Sequence, residues 1–202
     1  MNRFLNSISF IFHPLIMPLL GVIFYFSKSP RFIPMEIIQA KLISIGILTI
    51  ILPILIYFLL KTLGKTKTIY LKTTQERILP LGLNSIIIYL ILRRVLPPNE
   101  IIELYYFFVG ILLSTLTCFM LAFFKFKASI HMISIGGVLM FFIALSIHFS
   151  ININGTLALM TIITGAIASS RLHLKAHDVK EIIVGFCIGF LPQLTLLNYW
   201  LI

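Results

Sequence analysis

Seven stretches of this chain, roughly 8–27, 36–60, 78–96, 101–124, 130–149, 154–171 and 179–201, stay apolar for about the twenty residues a helix needs to cross a bilayer. Nothing else in the sequence restricts the fold as strongly. Of 202 residues, 59% are apolar and only 11% charged, at a mean hydropathy of +1.08. A soluble domain of this size could not bury that much apolar surface, so the solvent is lipid. The expected fold is all-α: a polytopic membrane helix bundle of about seven transmembrane helices, forming one integral membrane domain over residues 1–202. The first run follows Arg3 without a small-x-small cleavage pattern and is read as a retained span. Pro14, Pro18, Pro53 and Pro192 fall inside spans, where they are expected to kink a helix rather than end it. Asn99, after Pro97-Pro98, is a candidate cap for the fourth helix.

A net charge of +10 would suggest nucleic acid in a soluble protein. Here the Lys and Arg residues sit in short connectors, which reads as membrane topology and contact with lipid headgroups; no nucleic-acid partner is expected. Cys118 and Cys187 lie inside apolar runs and read as small buried hydrophobes. An alternating path places the N-terminus, 61–77, 125–129 and 172–178 on one side. Connectors 28–35, 97–100 and 150–153 share the other side with the C-terminus. The three connectors on the N-terminal side hold nearly every residue suited to chemistry, so three polar clusters far apart in sequence should meet at one membrane face.

The densest cluster runs from Ser169 to Glu181 and packs Arg171, His173, Lys175, His177, Asp178 and Glu181 between two apolar runs. Ionisable groups at the edge of hydrocarbon are costly and point to function. If a helix begins near His177, then His177 and Glu181 lie at i and i+4 on one face. A carboxylate there holds an imidazole in one tautomer, and Arg171 offers a planar fork suited to phosphate. That combination suits attack on phosphorus. Asp178 and Glu181 also form a helix-capping pattern. His173, His177 and Glu181 recur every four residues, which would suit a metal only if one helix ran unbroken through all three.

Two further clusters support phosphate chemistry. His131 opens the fifth span, with Ser129 as its candidate N-cap, and is placed to donate a proton. Arg77 stands at the entrance of the third span, just after Lys61, Lys65, Lys67 and Lys72, and could clamp a phosphate oxygen. Small residues concentrate in the last three spans, as Gly136-Gly137, Gly165 and its neighbours, and Gly185-x-x-x-Gly189; close helix packing suffices to explain them.

With these residues in view, the chain resembles the type 2 phosphatidic acid phosphatase superfamily, integral membrane enzymes that cleave lipid phosphates and diphosphates without metal. Its three motifs are Lys-x6-Arg-Pro, Pro-Ser-Gly-His and Ser-Arg-x5-His-x3-Asp. Ser170-Arg171-x5-His177-x3-Glu181 matches the third, with Glu for Asp. Ala128-Ser129-Ile130-His131 keeps the Ser and His of the second. The first is poorest: Arg77 is followed by Ile-Leu-Pro80, position 70 is Tyr, and Lys72 is the preferred substitute over Lys67. The likeness covers residues 65 to 192, in family order, although two spans separate the first and second motifs where many members have one loop.

The resemblance implies that His177 attacks phosphorus to form a phosphohistidine while Glu181 orients its ring. His131 would protonate the leaving group and then activate water. Arg171, Arg77, Lys72 and Ser129 would bind the nonbridging oxygens, with no cofactor. Membrane lipids would be partners, a lipid or isoprenoid phosphate the substrate, and a bacterial plasma membrane the location. Eleven of the sixteen Lys and Arg fall on the active-face side and five opposite, which by the positive-inside tendency places that face in the cytoplasm. Many bacterial members of the family face outward instead. A silent lipid-phosphate binder or a small transporter are the alternatives to an enzyme.

Overall fold

The computed structural model describes the backbone of residues 2–64 and 73–201, with side chains from residue 7. These residues form helices α1 (Asn2–Ile11), α2 (Met17–Lys28), α3 (Met35–Gly46), α4 (Leu52–Thr62), α5 (Thr74–Arg94), α6 (Ile102–Phe123), α7 (Ile130–His148), α8 (Asn154–His173) and α9 (Val179–Leu196). No strand occurs among the described residues. Six helical runs are long and apolar enough to cross a membrane: Met35–Thr62, Thr74–Arg94, Ile102–Phe123, Ile130–His148, Asn154–His173 and Val179–Tyr199. The expected polytopic helical bundle is therefore present.

The first expected span differs. Instead of one kinked helix over 8–27, the chain stops at Ile11 and restarts at Met17. Pro14 has no N–H to give the preceding turn, and its ring disfavours helical geometry at His13. The gap closes as a turn, with Ile16 N–H donating to the His13 carbonyl at 2.9 Å and Leu15 N–H to His13 Nδ1 at 3.3 Å. Pro18 then occupies the first turn of α2, where a missing N–H costs nothing. Pro53 and Pro192 behave as expected. A π-helical segment, Ile47–Ile51, carries α3 into α4 just before Pro53, and Pro192 lies inside α9. Asn99 does not cap α6; Ile101 holds that position without a side-chain bond.

α7 is the central helix. Met132, Ile135, Val138, Phe141, Phe142 and Leu145 are buried on successive faces, the pattern of a helix enclosed on all sides. Its closest partner is α9, because glycines remove the side chains that would hold the two backbones apart. A Cβ on Gly185 would sit 2.8 Å from the Ser129 carbonyl oxygen, and one on Gly136 2.8 Å from that of Phe186. On Gly189 it would overlap the carbonyl of Ile133. Gly165, expected to serve the same purpose, faces nothing within 4 Å. The small residues that matter for packing are those of α7 and α9.

The connectors gather at two ends of the bundle. At one end, the fully buried Glu103 of α6 binds Arg31 at 2.7 Å, His148 at 3.2 Å and the Tyr25 hydroxyl at 3.2 Å. Lys41 donates there to the Val95 carbonyl at 2.7 Å. The other end gathers the starts of α5, α7 and α9.

Candidate active site

Arg77 lies in the first turn of α5, capped by Thr73, whose hydroxyl accepts from Glu76 N–H at 3.3 Å. Its buried guanidinium donates to the Ala128 carbonyl at 2.9 Å. Ala128 belongs to the connector before α7. One residue on, Ser129 N–H donates to the Glu181 carbonyl in the first turn of α9 at 3.1 Å. Lys127 donates to the Ala176 carbonyl at 3.0 Å. Direct hydrogen bonds thus tie three distant segments together. The two spans separating Arg77 from Ser129 cause no distance in space, because α5 leaves this face and α6 returns to it.

Two turns of the same design hold these segments. α6 and α8 each end with a lysine in left-handed conformation, Lys125 at φ 59° and Lys175 at φ 50°. In each, the next amide reaches back five residues, Phe126 to Leu121 at 2.9 Å and Ala176 to Arg171 at 3.1 Å. This satisfies the last carbonyls and reverses the chain sharply. Lys127 and His177 emerge directly from these reversals.

His177 precedes the N-cap of α9 rather than lying on the helix, yet the expected pairing forms: Nδ1 and Glu181 Oε2 are 2.6 Å apart. Glu181 also belongs to a capping box. Its N–H donates to Asp178 Oδ1 at 2.7 Å, and its Oε2 accepts from Asp178 N–H at 3.3 Å. One carboxylate therefore fixes the helix start and the imidazole together. With Nδ1–H given to Glu181, the lone pair of the neutral ring sits on Nε2. Burial pulls His177 below the ordinary imidazole value; the Glu181 hydrogen bond opposes this, Arg77 and Lys127 reinforce it, and the result is about 4. The ring is an unprotonated base at neutral pH.

Ser129 is completely buried at the N-cap of α7, and its hydroxyl has no hydrogen-bond partner among the described residues. It stands between the segments carrying Arg77 and Glu181, with a donor to spare. His131 is the second residue of α7 and is half-buried. Its Nε2 lies 3.2 Å from the Ser9 carbonyl. A carbonyl only accepts, so Nε2 carries the proton and Nδ1 the lone pair. The Ser9 hydroxyl meets that of Ser170 at 2.7 Å, beside Arg171. The charge of Arg171 reaches His13, His131, Arg77 and Lys127, and His177 in turn acts on His131.

No family model, curated protein or solved structure matches this chain. The geometry stands alone.

Of the residues singled out in the sequence, Arg77, Ser129, His177 and Glu181 are joined through hydrogen-bonded segments, and His131 and Arg171 sit together beside them. Lys72, like Lys65 and Lys67, lies outside the described residues. The metal alternative loses its premise, since α8 ends at His173 and α9 begins only at Val179, so no single helix carries His173, His177 and Glu181. Sequence reasoning passed over Ser9, His13 and Lys127. His13 carried a usable signal, being an ionisable residue next to proline inside an apolar run. Lys127, in a short basic connector, carries no pattern that sets it apart from a topology signal. The arrangement is suited to an anion: Arg77 and Lys127 lie close to Glu181, the charge of Arg171 reaches both of those cations, and α5, α7 and α9 all direct their positive N-terminal ends at this face.

Proposed function

We propose that this protein is a multi-pass membrane phosphatase that hydrolyses a lipid phosphate or diphosphate through a phosphohistidine at His177, as a short, divergent relative of the type 2 phosphatidic acid phosphatases in a bacterial plasma membrane. One observation carries the reading: a neutral, carboxylate-held imidazole stands beside two cations, Arg77 and Lys127, where three helices begin. His177 Nε2 attacks phosphorus, and Glu181 stabilises the charge left on the ring. Arg77, Arg171, Lys127 and the unpaired Ser129 hydroxyl bind the nonbridging oxygens and stabilise the transition state. Lys72 joins them in the family pattern. His131 gives a proton to the departing oxygen, then takes one from the water that cleaves the P–N bond. No metal is required for any of these steps.

A lipid substrate is supported by what lies beneath the site. The face of α5 that starts with Arg77 continues through Asn84 and Ile88, and the face of α7 that starts with His131 continues through Ser134 and Val138. These four residues line one mainly apolar cavity of about 120 Å³ next to Pro14. A headgroup at the cations would direct its chain along this path.

The test is release of inorganic phosphate by detergent-solubilised protein from phosphatidate, phosphatidylglycerol phosphate and isoprenyl diphosphates, with and without chelator. Turnover unaffected by chelator and abolished in His177→Ala is expected. Activity surviving that substitution would remove the nucleophile, and tight binding without turnover would identify a silent lipid-phosphate binder.

A further inference from the structure

The amino-terminal segment touches the site at two points that the proposed chemistry does not use. The Ser9 carbonyl takes the Nε2 proton of His131, and the His13 ring approaches the His131 ring edge-on, with centroids 5.6 Å apart and planes at 79°. His13 is not a free-swinging side chain. Its Nδ1 accepts from Leu15 N–H at 3.3 Å, which anchors the ring within the Pro14 turn. α1 is held in place in turn by the Ser9–Ser170 hydroxyl pair at 2.7 Å, one residue from Arg171.

Resting on the phosphatase reading, we propose that His13 is a positioning residue for His131: its ring, fixed by the break between α1 and α2, holds the His131 imidazole against the Ser9 carbonyl so that Nδ1 faces the reaction. Three facts converge on this. An edge-to-face pair has a defined relative orientation, so one anchored ring orients the other. The Ser9 carbonyl selects a single tautomer, leaving Nδ1 as the only basic nitrogen of the neutral ring. The turn after α1 holds the His13 ring through Leu15 N–H while α1 itself presents the Ser9 carbonyl, so both contacts reach the one imidazole.

The proton balance follows. In the first step the proton of the phosphate monoanion passes to neutral Nδ1 of His131 and on to the leaving oxygen, as the P–O bond breaks and the His177 Nε2–P bond forms; the proton that His131 takes in the second step leaves with inorganic phosphate. In the second, neutral Nδ1 takes a proton from water as its oxygen bonds to phosphorus, and the P–N electron pair returns to His177. Both steps need Nδ1 in one place, and small misplacement of such a group costs rate rather than binding.

Two variants separate positioning from packing. His13→Asn keeps an acceptor for Leu15 N–H but removes the ring; His13→Phe keeps a ring edge without the nitrogens. The ring nitrogens of His131 are observed by NMR in protein labelled with 15N-histidine in micelles, assigned with His131→Asn. Phosphate release from dioctanoyl phosphatidate and farnesyl diphosphate is measured on the same samples. The wild type should show one His131 tautomer, protonated on Nε2. His13→Asn should mix the tautomers and lower kcat by about 10- to 100-fold with KM little changed. His13→Phe, which keeps the ring edge without the Nδ1 anchor, should restore both signals only in part. An unchanged His131 spectrum in folded His13→Asn protein would overturn the inference whether or not the protein turns over lipid. A wild type with the single tautomer but no phosphate release would instead overturn the phosphatase reading and leave the geometry of His131 standing.

Discussion

At the scale of single residues, Glu181 has the most to explain, because one carboxylate oxygen accepts from both the His177 ring and the Asp178 amide. A glutamate fits this double duty, since its longer side chain closes a capping box and still reaches the imidazole. Glu181→Gln should preserve the helix start, as amides also serve in capping boxes, while weakening the hold on a charged ring. A fall in kcat of roughly 10²-fold with little loss of thermal stability is expected. The pH profile supplies a second check. His177 is free base above its lowered value of about 4 and protonated below it, so the nucleophile is lost as pH falls through that region. The acid limb of kcat/KM should lie near pH 4 rather than near the ordinary imidazole value. Glu181→Gln removes a raising influence and should shift the limb down, whereas Lys127→Met removes a lowering one and should shift it up. Movement of both in the same direction would show that the limb belongs to another group.

Among the elements, the seam between α7 and α9 sets how well the site is held, because Ser129 and Glu181 sit at its top and Gly185 packs against the Ser129 backbone. Gly189→Ala would push a methyl into the Ile133 carbonyl, a backbone group with little room to yield. A loss of roughly 1–3 kcal/mol is expected, together with reduced turnover, since the seam cannot open without moving Ser129. Gly165→Ala is the control: its Cβ meets nothing, and a helix-interior glycine replaced by alanine should gain about 0.5–1 kcal/mol. Thermal melts of the two variants in one detergent decide the point. The sequence made the helices legible because spans in lipid announce themselves by length and hydropathy. It misled at Pro14, where a proline that could have been absorbed as a kink became a chain break. Partners decide such cases, and Ser170 and His131 are remote from position 14 along the chain. His177 and Glu181 were legible as a pair from their spacing, whereas Arg77 to Ala128 was not, because a side chain reaching a backbone carbonyl leaves no residue pattern.

Over the whole molecule, the two ends of the bundle have separate tasks. The site end is rich in cations around the His177–Glu181 pair; the far end buries Glu103 completely among Arg31, His148 and Tyr25. Twenty-residue helices put the two ends about 30 Å apart. Glu103→Ala should therefore cost stability, on the order of 3 kcal/mol for stripping a buried ion network of its centre, without altering kcat per folded molecule. A comparable fall in kcat measured well below the melting temperature would mean the ends are coupled. The central claim is that phosphorus becomes bonded to His177, and rapid quench of the solubilised protein with a 32P-labelled lipid phosphate addresses it directly. The expected result is a base-stable, acid-labile label on the peptide containing His177, absent from His177→Ala. Phosphate release at full rate with no label on that peptide would contradict it.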